Sequence, residues 1–307
     1  MIGAWTPYFR LGIVHFMAFP ETQKDESQLL PTLEQIAMDP AFEAIEVQPI
    51  RDRAIRRQAQ AMLAAAHLTV AFCAQPLILG ERYDLNAADE GLRAKAVDAL
   101  KGLLEDAAEF GAEAVALMSG PDPGPEGRPA ARQALRTSLV ELCEHARQLG
   151  LFIVLEVFDR DVDKRALIGP TVEAVELAQA VRQSVPNFGL MLDLSHLPLQ
   201  REPVQEALTQ AAPYLVHAHM GNCVLSDATH PAYGDQHPRF GLPGGENDVS
   251  ELAAYLRGLR EIGFLGDRGA ARPIVSFEVK PQPGESSALV IANAKRTLIA
   301  AWAQVAG

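Results

Sequence analysis

FIVLEVF at residues 152–158 and GLMLDLS at residues 189–195 are apolar runs, each broken by one carboxylate near its C-terminal end. LVHAHMG (215–221) and PIVSFEV (273–279) repeat the pattern, with His217, His219 and Glu278 as the polar intruders. Runs this apolar, without one-sided alternation, predict strands buried on both faces, as in a parallel sheet. Working outward, similar runs occur at GIVHFM (12–17), AIEVQP (44–49), TVAFCAQ (69–75) and AVALMSG (114–120). Helical periodicity fills the intervals, for example over 92–110 and 132–149. Eight strand-then-helix units predict an α/β fold, a single-domain (β/α)8 barrel over residues 1–307. The alternative, a doubly wound open sheet, ordinarily places a glycine-rich phosphate loop after an early strand. Neither GxGxxG nor a GxxxxGK loop is present.

Local punctuation agrees with eight units. Asp248 followed by Glu251 predicts a capping box opening a helix over 250–261, with Gly263 just past its end. Gly111 and Gly150 close the helices before the fourth and fifth strands. The Pro/Gly-rich segment PDPGPEGRP (121–129) reads as a loop rather than a linker, because the pattern resumes at once.

Composition narrows the function classes. The 307 residues include 39 acidic and 27 basic side chains, a net charge of −12 that disfavours a nucleic-acid partner. The densest basic stretch, Arg51 to Arg57, falls on an expected outer helix. Three separated cysteines offer no disulfide framework and no CxxC pair. No apolar run is long enough for a membrane span, and MIGAWTPYFRLGIVHF does not read as a signal peptide, so a cytoplasmic enzyme is expected.

The chemistry is carried by polar residues where barrel strands should be apolar. Strand C-terminal ends open onto the active-site face of such a barrel. Glu156, Asp193, His219 and Glu278 fall at the ends of the last four strands, and His217 shares the parity of His219. Carboxylates in an apolar strand are costly unless paired or bound to a cation. Three carboxylates and one imidazole suit one divalent ion, manganese foremost, with Co, Mg, Fe or Zn as alternatives.

These residues carry a resemblance. LEVFDR with Glu156, LDLSHLP with Asp193 and His196, HAHMGN with His219, and FEV with Glu278 resemble the xylose-isomerase-like sugar isomerase/epimerase superfamily. The resemblance covers nearly the whole chain and is most specific from Phe152 onward. It implies that Glu156, Asp193, His219 and Glu278 hold the metal, that Glu156 and Glu278 are also the acid/base pair, and that His196 touches a substrate oxygen. It further implies a homo-oligomer acting on a sugar or keto-sugar. The expected reaction removes a proton from carbon beside a carbonyl through an enediolate, ending in isomerisation or epimerisation. With a leaving group β to the carbanion, the same start makes a lyase.

Two loops depart from the better-known epimerases. HPAYGDQHPRFGLPGGEND (230–248) is long, and its His237 and Arg239 are candidate contacts to a substrate hydroxyl, carboxylate or phosphate. FDRDVDKRALIGP (158–170) starts like a calcium loop, but Lys164 stands where glycine is needed and Pro170 where glutamate is needed. It is expected to be an active-site wall with Lys164 a candidate substrate contact. These loops resemble, more loosely, a branch with the large subunit of enzymes cleaving 3-keto C-glycosides, which implies a small second subunit. An apurinic-site endonuclease, which shares the barrel, is disfavoured by the acidic balance and the few histidines.

Other residues have two readings each. Glu46, Gln48 and His217 are either substrate contacts or partners inside the barrel. His15 is expected to be a hydrogen-bonded core residue of the first strand. Trp5, Phe9, Phe16 and Phe72 form either a sugar-facing wall or core, and Cys223 is expected to be packed.

Overall fold

A computed structural model describes residues 5–266 and 272–305 of the chain. Eight strands are present: β1 (Arg10–Ile13), β2 (Ala44–Val47), β3 (Thr69–Cys73), β4 (Ala114–Leu117), β5 (Phe152–Glu156), β6 (Phe188–Asp193), β7 (Leu215–Met220) and β8 (Ile274–Phe277). They form one parallel sheet in the order β1-β8-β7-β6-β5-β4-β3-β2. The seam between β1 and β2 is thinner than the other joints. It consists of a bridge between Val14 and Glu46 and a bond from the Glu43 amide to the Leu11 carbonyl at 2.8 Å. The result is a nearly closed (β/α)8 barrel.

The early helices are α1 (His15–Ala18), α2 (Leu29–Ala37), α3 (Arg53–Ala65), α4 (Gln75–Glu81), α5 (Glu90–Phe110) and α6 (Arg128–Gln148). Those that follow are α7 (Thr171–Arg182), α8 (His196–Gln200), α9 (Val204–Ala211), α10 (Val249–Glu261) and α11 (Ser287–Val305). The capping box of α10 forms as expected, with both the Asp248 and Glu251 side chains engaged. Gly111, Gly150 and Gly263 adopt φ of 87°, 75° and 75°, where a side chain would be strained.

The first strand differs from its expected span. It runs over 10–13 rather than 12–17, and His15 begins a short helix instead of lying in the sheet. Apolar periodicity cannot separate a buried strand from a buried helical turn over so few residues. Arg10, polar at the strand's start, is accommodated by Thr69 and Glu113 at the closed end of the barrel. His15 is indeed a core residue: its Nε2 lies 2.9 Å from Thr32 Oγ1, and burial pushes its pKa down to about 3.

The core has two layers. Ala116, Val154 and Met191 pack inside the barrel, while the larger cluster fills the space between strands and helices. Phe72 belongs to the outer layer, edge-on to Phe110 at 5.3 Å between ring centres. Phe9 packs edge-on against Trp302 of α11 and Trp5 stacks on Phe9, so neither forms a sugar-facing wall. Among the described residues no helix is long and apolar enough to cross a membrane.

Candidate metal centre and active site

Parallel pairing brings the polar strand ends to one rim. Asp193 ends β6 level with His219 of β7, Glu156 ends β5, and Glu278 follows β8 directly. One ligand-capable atom from each of the four lies within 4.8 Å of the others. All four side chains are buried. His219 Nδ1 faces the three carboxylates, 2.7 Å from Glu278 Oε2, 3.6 Å from Glu156 Oε1 and 3.9 Å from Asp193 Oδ2. Glu156 Oε1 and Asp193 Oδ2 are buried without a hydrogen-bond partner. Orphaned carboxylate oxygens converging in a dry interior are strongly unfavourable unless a cation neutralises them. Burial opposes charge on His219, but Glu46 and the neighbouring carboxylates outweigh it and raise its pKa well above the usual histidine range. This oxygen-rich, thiolate-free donor set fits a divalent cation.

Two further carboxylates organise the rim. Glu46 Oε1 lies 2.8 Å from His217 Nε2 and 2.9 Å from His219 Nε2. Asp235 is a hub: its Oδ1 lies 3.0 Å from His196 Nε2 and 2.9 Å from His237 Nε2, and its Oδ2 lies 2.8 Å from Lys164 Nζ. Burial would raise the Asp235 carboxyl, but His237, His196 and Lys164 hold it well below the ordinary value. The loop carrying Lys164 is shaped by Asp159, whose carboxylate accepts from the backbone amides of Val162, Asp163 and Lys164 at 2.7–3.0 Å. That carboxylate is therefore spent on its own turn. Above the four strand ends lies a cavity of about 200 Å³. Its floor includes Glu156, His219 and Glu278, one wall is apolar (Phe16, Met17, Pro76, Leu79), and the other carries Lys164, Asp235 and His237.

The sequence profile described as xylose isomerase-like TIM barrel matches residues 34–289, from α2 into α11. The chain belongs to that family. Among solved structures, it is similar to a D-tagatose 3-epimerase-like protein (TM-score 0.71, 18% identity, 96% of this chain and 99% of that one). A second is the D-psicose 3-epimerase with D-tagatose from Clostridium cellulolyticum (TM-score 0.68, 16% identity, covering 96% and 99%). A third is the IolI protein with a binding zinc atom (TM-score 0.72, 17% identity, covering 95% and 97%). At these identities the likeness speaks for the fold. Comparison with curated proteins finds no sequence match.

In this xylose isomerase-like barrel the residues singled out from sequence separate into two groups. Glu156, His219, Glu278, His237 and Lys164 line the cavity, with Asp193 buried directly beneath. His196, Glu46, His217 and Arg239 do not line it. Both His196 nitrogens are engaged, Nδ1 2.9 Å from the Val157 carbonyl and Nε2 on Asp235, so no ring nitrogen is left for a ligand. Arg239 instead donates to Glu285 Oε1 at 2.8 Å. Gln48 donates to the Thr22 carbonyl at 3.0 Å. Cys223 is packed, with burial pushing its thiol up.

Two residues of the site escaped the sequence reading. Gln75 opens α4 and donates to Glu156 Oε2 at 2.6 Å, although it reads as the end of the third strand. Asp235 stands in an irregular loop, where no periodicity marks a buried position. Its one signal is proximity to His237 in sequence, two residues away.

Proposed function

We propose that this chain is a divalent-metal-dependent sugar isomerase or epimerase that moves a proton on carbon next to a carbonyl. The observation that carries the reading is the convergence of three buried carboxylates and His219 Nδ1 at the floor of a small cavity. Glu156, Asp193, His219 and Glu278 would hold the ion, manganese foremost. Bound there, it supplies Lewis-acid stabilisation of the negative charge that develops on substrate oxygens as the neighbouring carbon is deprotonated.

The chain's own groups account for the proton. Glu156 and Glu278 project from strands three steps apart in the barrel, so they flank a small ligand. One carboxylate accepts the proton from carbon, leaving its electron pair as an enediolate. The other, starting protonated, returns a proton to the opposite face, which inverts that carbon with no net change in atoms. Return to the adjacent carbon gives the isomer instead. Without an ion, burial, reinforced by the charge of Glu156 and opposed by His237, raises the pKa of Glu278. Gln75 fixes the orientation of Glu156. The apolar wall excludes water, while Lys164 and His237 offer donors to substrate hydroxyls. A cavity of about 200 Å³ is small beside the roughly 300–1,000 Å³ of drug-sized sites, as a monosaccharide requires. The names of the similar structures, among them 3-epimerases of tagatose and psicose, support the substrate class.

A second reading is favoured by one feature. A neighbouring cavity of about 360 Å³ shares Gln23 and Pro76 with the first, leaving room for a group attached to the sugar. With a 3-keto glycoside, the carbon between the carbonyl and the anomeric centre would lose its proton. The resulting electron pair would form a double bond as the aglycone departs with its bonding pair and takes up a proton.

The deciding experiment measures metal content together with deuterium uptake from heavy water into ketohexoses, and aglycone release from 3-keto glycosides. About one ion per chain with exchange into ketoses supports the first reading, and aglycone release supports the second. A wild-type protein that holds no manganese, cobalt or zinc and exchanges no proton overturns both.

A further inference from the structure

Glu46 is fully buried and does not line the cavity above the rim. Its strand, β2, is not a sheet neighbour of β7, so its bonds to His217 and His219 cross the barrel interior between residues 171 and 173 positions apart. Both imidazoles direct Nε2 at the same carboxylate oxygen, their rings 5.1 Å apart and nearly perpendicular at 85°. The second oxygen receives only the Cys73 thiol, at 3.5 Å. A core carboxylate kept for packing alone has no need of two imidazoles on one oxygen.

The geometry has a chemical consequence for His219. A neutral imidazole carries one proton, and a ligand nitrogen must be the other, unprotonated one. In a neutral ring whose Nε2 donates to Glu46, the lone pair is left on Nδ1, the nitrogen that faces Glu156, Asp193 and Glu278. An anionic acceptor on the far nitrogen also raises the basicity of the ligating one. His217 meets the same Glu46 oxygen and so fixes its direction. We infer that Glu46, braced by His217, is a positioning residue that sets the tautomer and ring orientation of His219 for a divalent cation. The inference rests on the metal reading above and extends it across the barrel to a strand that contributes no ligand.

The test has two arms on the full chain. In the first, zinc or manganese affinity is measured by chelator competition for wild type, Glu46→Gln and His217→Gln. The amide of Glu46→Gln keeps an acceptor of the same shape but removes the charge. Affinity should fall about 10–100-fold, the range for outer-shell partners of metal ligands, with a smaller fall for His217→Gln. In the second, the nitrogen spectrum of histidine-labelled, zinc-loaded wild type should show a His219 proton on Nε2 and none on Nδ1, which needs no variant to fold. Wild-type affinity in Glu46→Gln overturns the inference while leaving the metal reading intact, whereas a proton on Nδ1 in the loaded protein overturns the inference and also removes His219 from the ligand set. A wild type that binds no ion overturns both.

Discussion

The two halves of the barrel rim are built differently. β1 to β4 end in Ile13, Val47, Cys73 and Leu117, all buried and none charged, whereas β5 to β8 deliver Glu156, Asp193, His219 and Glu278. The first half closes the sheet and anchors α1 and α4, whose residues form the apolar wall. The second half carries groups whose burial costs stability unless a cation is present. Stability and chemistry are thus largely assigned to opposite sides of one sheet. The separation is incomplete at two points, since Glu46 of β2 and Gln75 of α4 reach across to hold His219 and Glu156. A rim crowded with carboxylates needs support from outside its own strands, because ionised carboxylates cannot donate hydrogen bonds to one another.

That comparison can be broken by substitution. The largest effect is expected in the second half: Glu278→Gln should slow proton exchange by about 10²–10⁴-fold, the contribution of a positioned acid or base. Ion-free Glu278→Gln should melt no lower than ion-free wild type, because one of three crowded carboxylates is neutralised. A clear loss of ion-free stability would show that Glu278 is structural. The first half should give the converse result. Phe72→Ala removes a buried ring from the helix-facing core and should cost about 3–5 kcal/mol in denaturant unfolding, with ion affinity unchanged in the folded fraction.

A smaller effect should appear with pH in the ion-free protein. Burial opposes charge on His237, but Glu278 and Asp235 outweigh it and raise its pKa from 6.5 to about 9. A raised histidine contributes stability below its unfolded value that is lost as pH rises through the folded one. Thermal midpoints should therefore fall from about pH 6.5 to about pH 9. Asp235→Asn, which removes one of the raising charges, should flatten that fall. An equal slope in the variant would mean the hub does not govern His237. The smallest effect is expected at Arg239, which is paired with Glu285 away from the cavity. Arg239→Ala should change stability by about 1 kcal/mol, since the pair with Glu285 is only partly buried, and leave exchange kinetics near wild type. A raised KM would place Arg239 on the substrate after all.

Much of the fold was legible in the residues because a barrel strand announces itself twice, by its apolar run and by the helix that follows. The error at β1 arose where that redundancy fails. There an apolar stretch passes from strand to helix within a few residues, and composition does not mark the change. The clustering of Glu156, Asp193, His219 and Glu278 was legible because strand ends of a parallel barrel meet at one rim. Gln75 and Asp235 were not, since one opens a helix and the other sits in a loop, and neither position has a period to betray its burial. His196 was marked by its spacing from Asp193, yet the structure engages both of its nitrogens within the protein.

The sequence by itself determined the eight units, the face on which polar groups gather and the donor set they offer. All of these follow from short-range alternation and chain order. Tertiary structure alone decided which oxygen meets which nitrogen: that Glu46 faces His219 across the barrel, that Asp235 gathers His196, His237 and Lys164, and that Arg239 turns away. Such pairings join residues as far as 173 positions apart. They depend on barrel curvature and loop path, to which local patterns of side chains are blind.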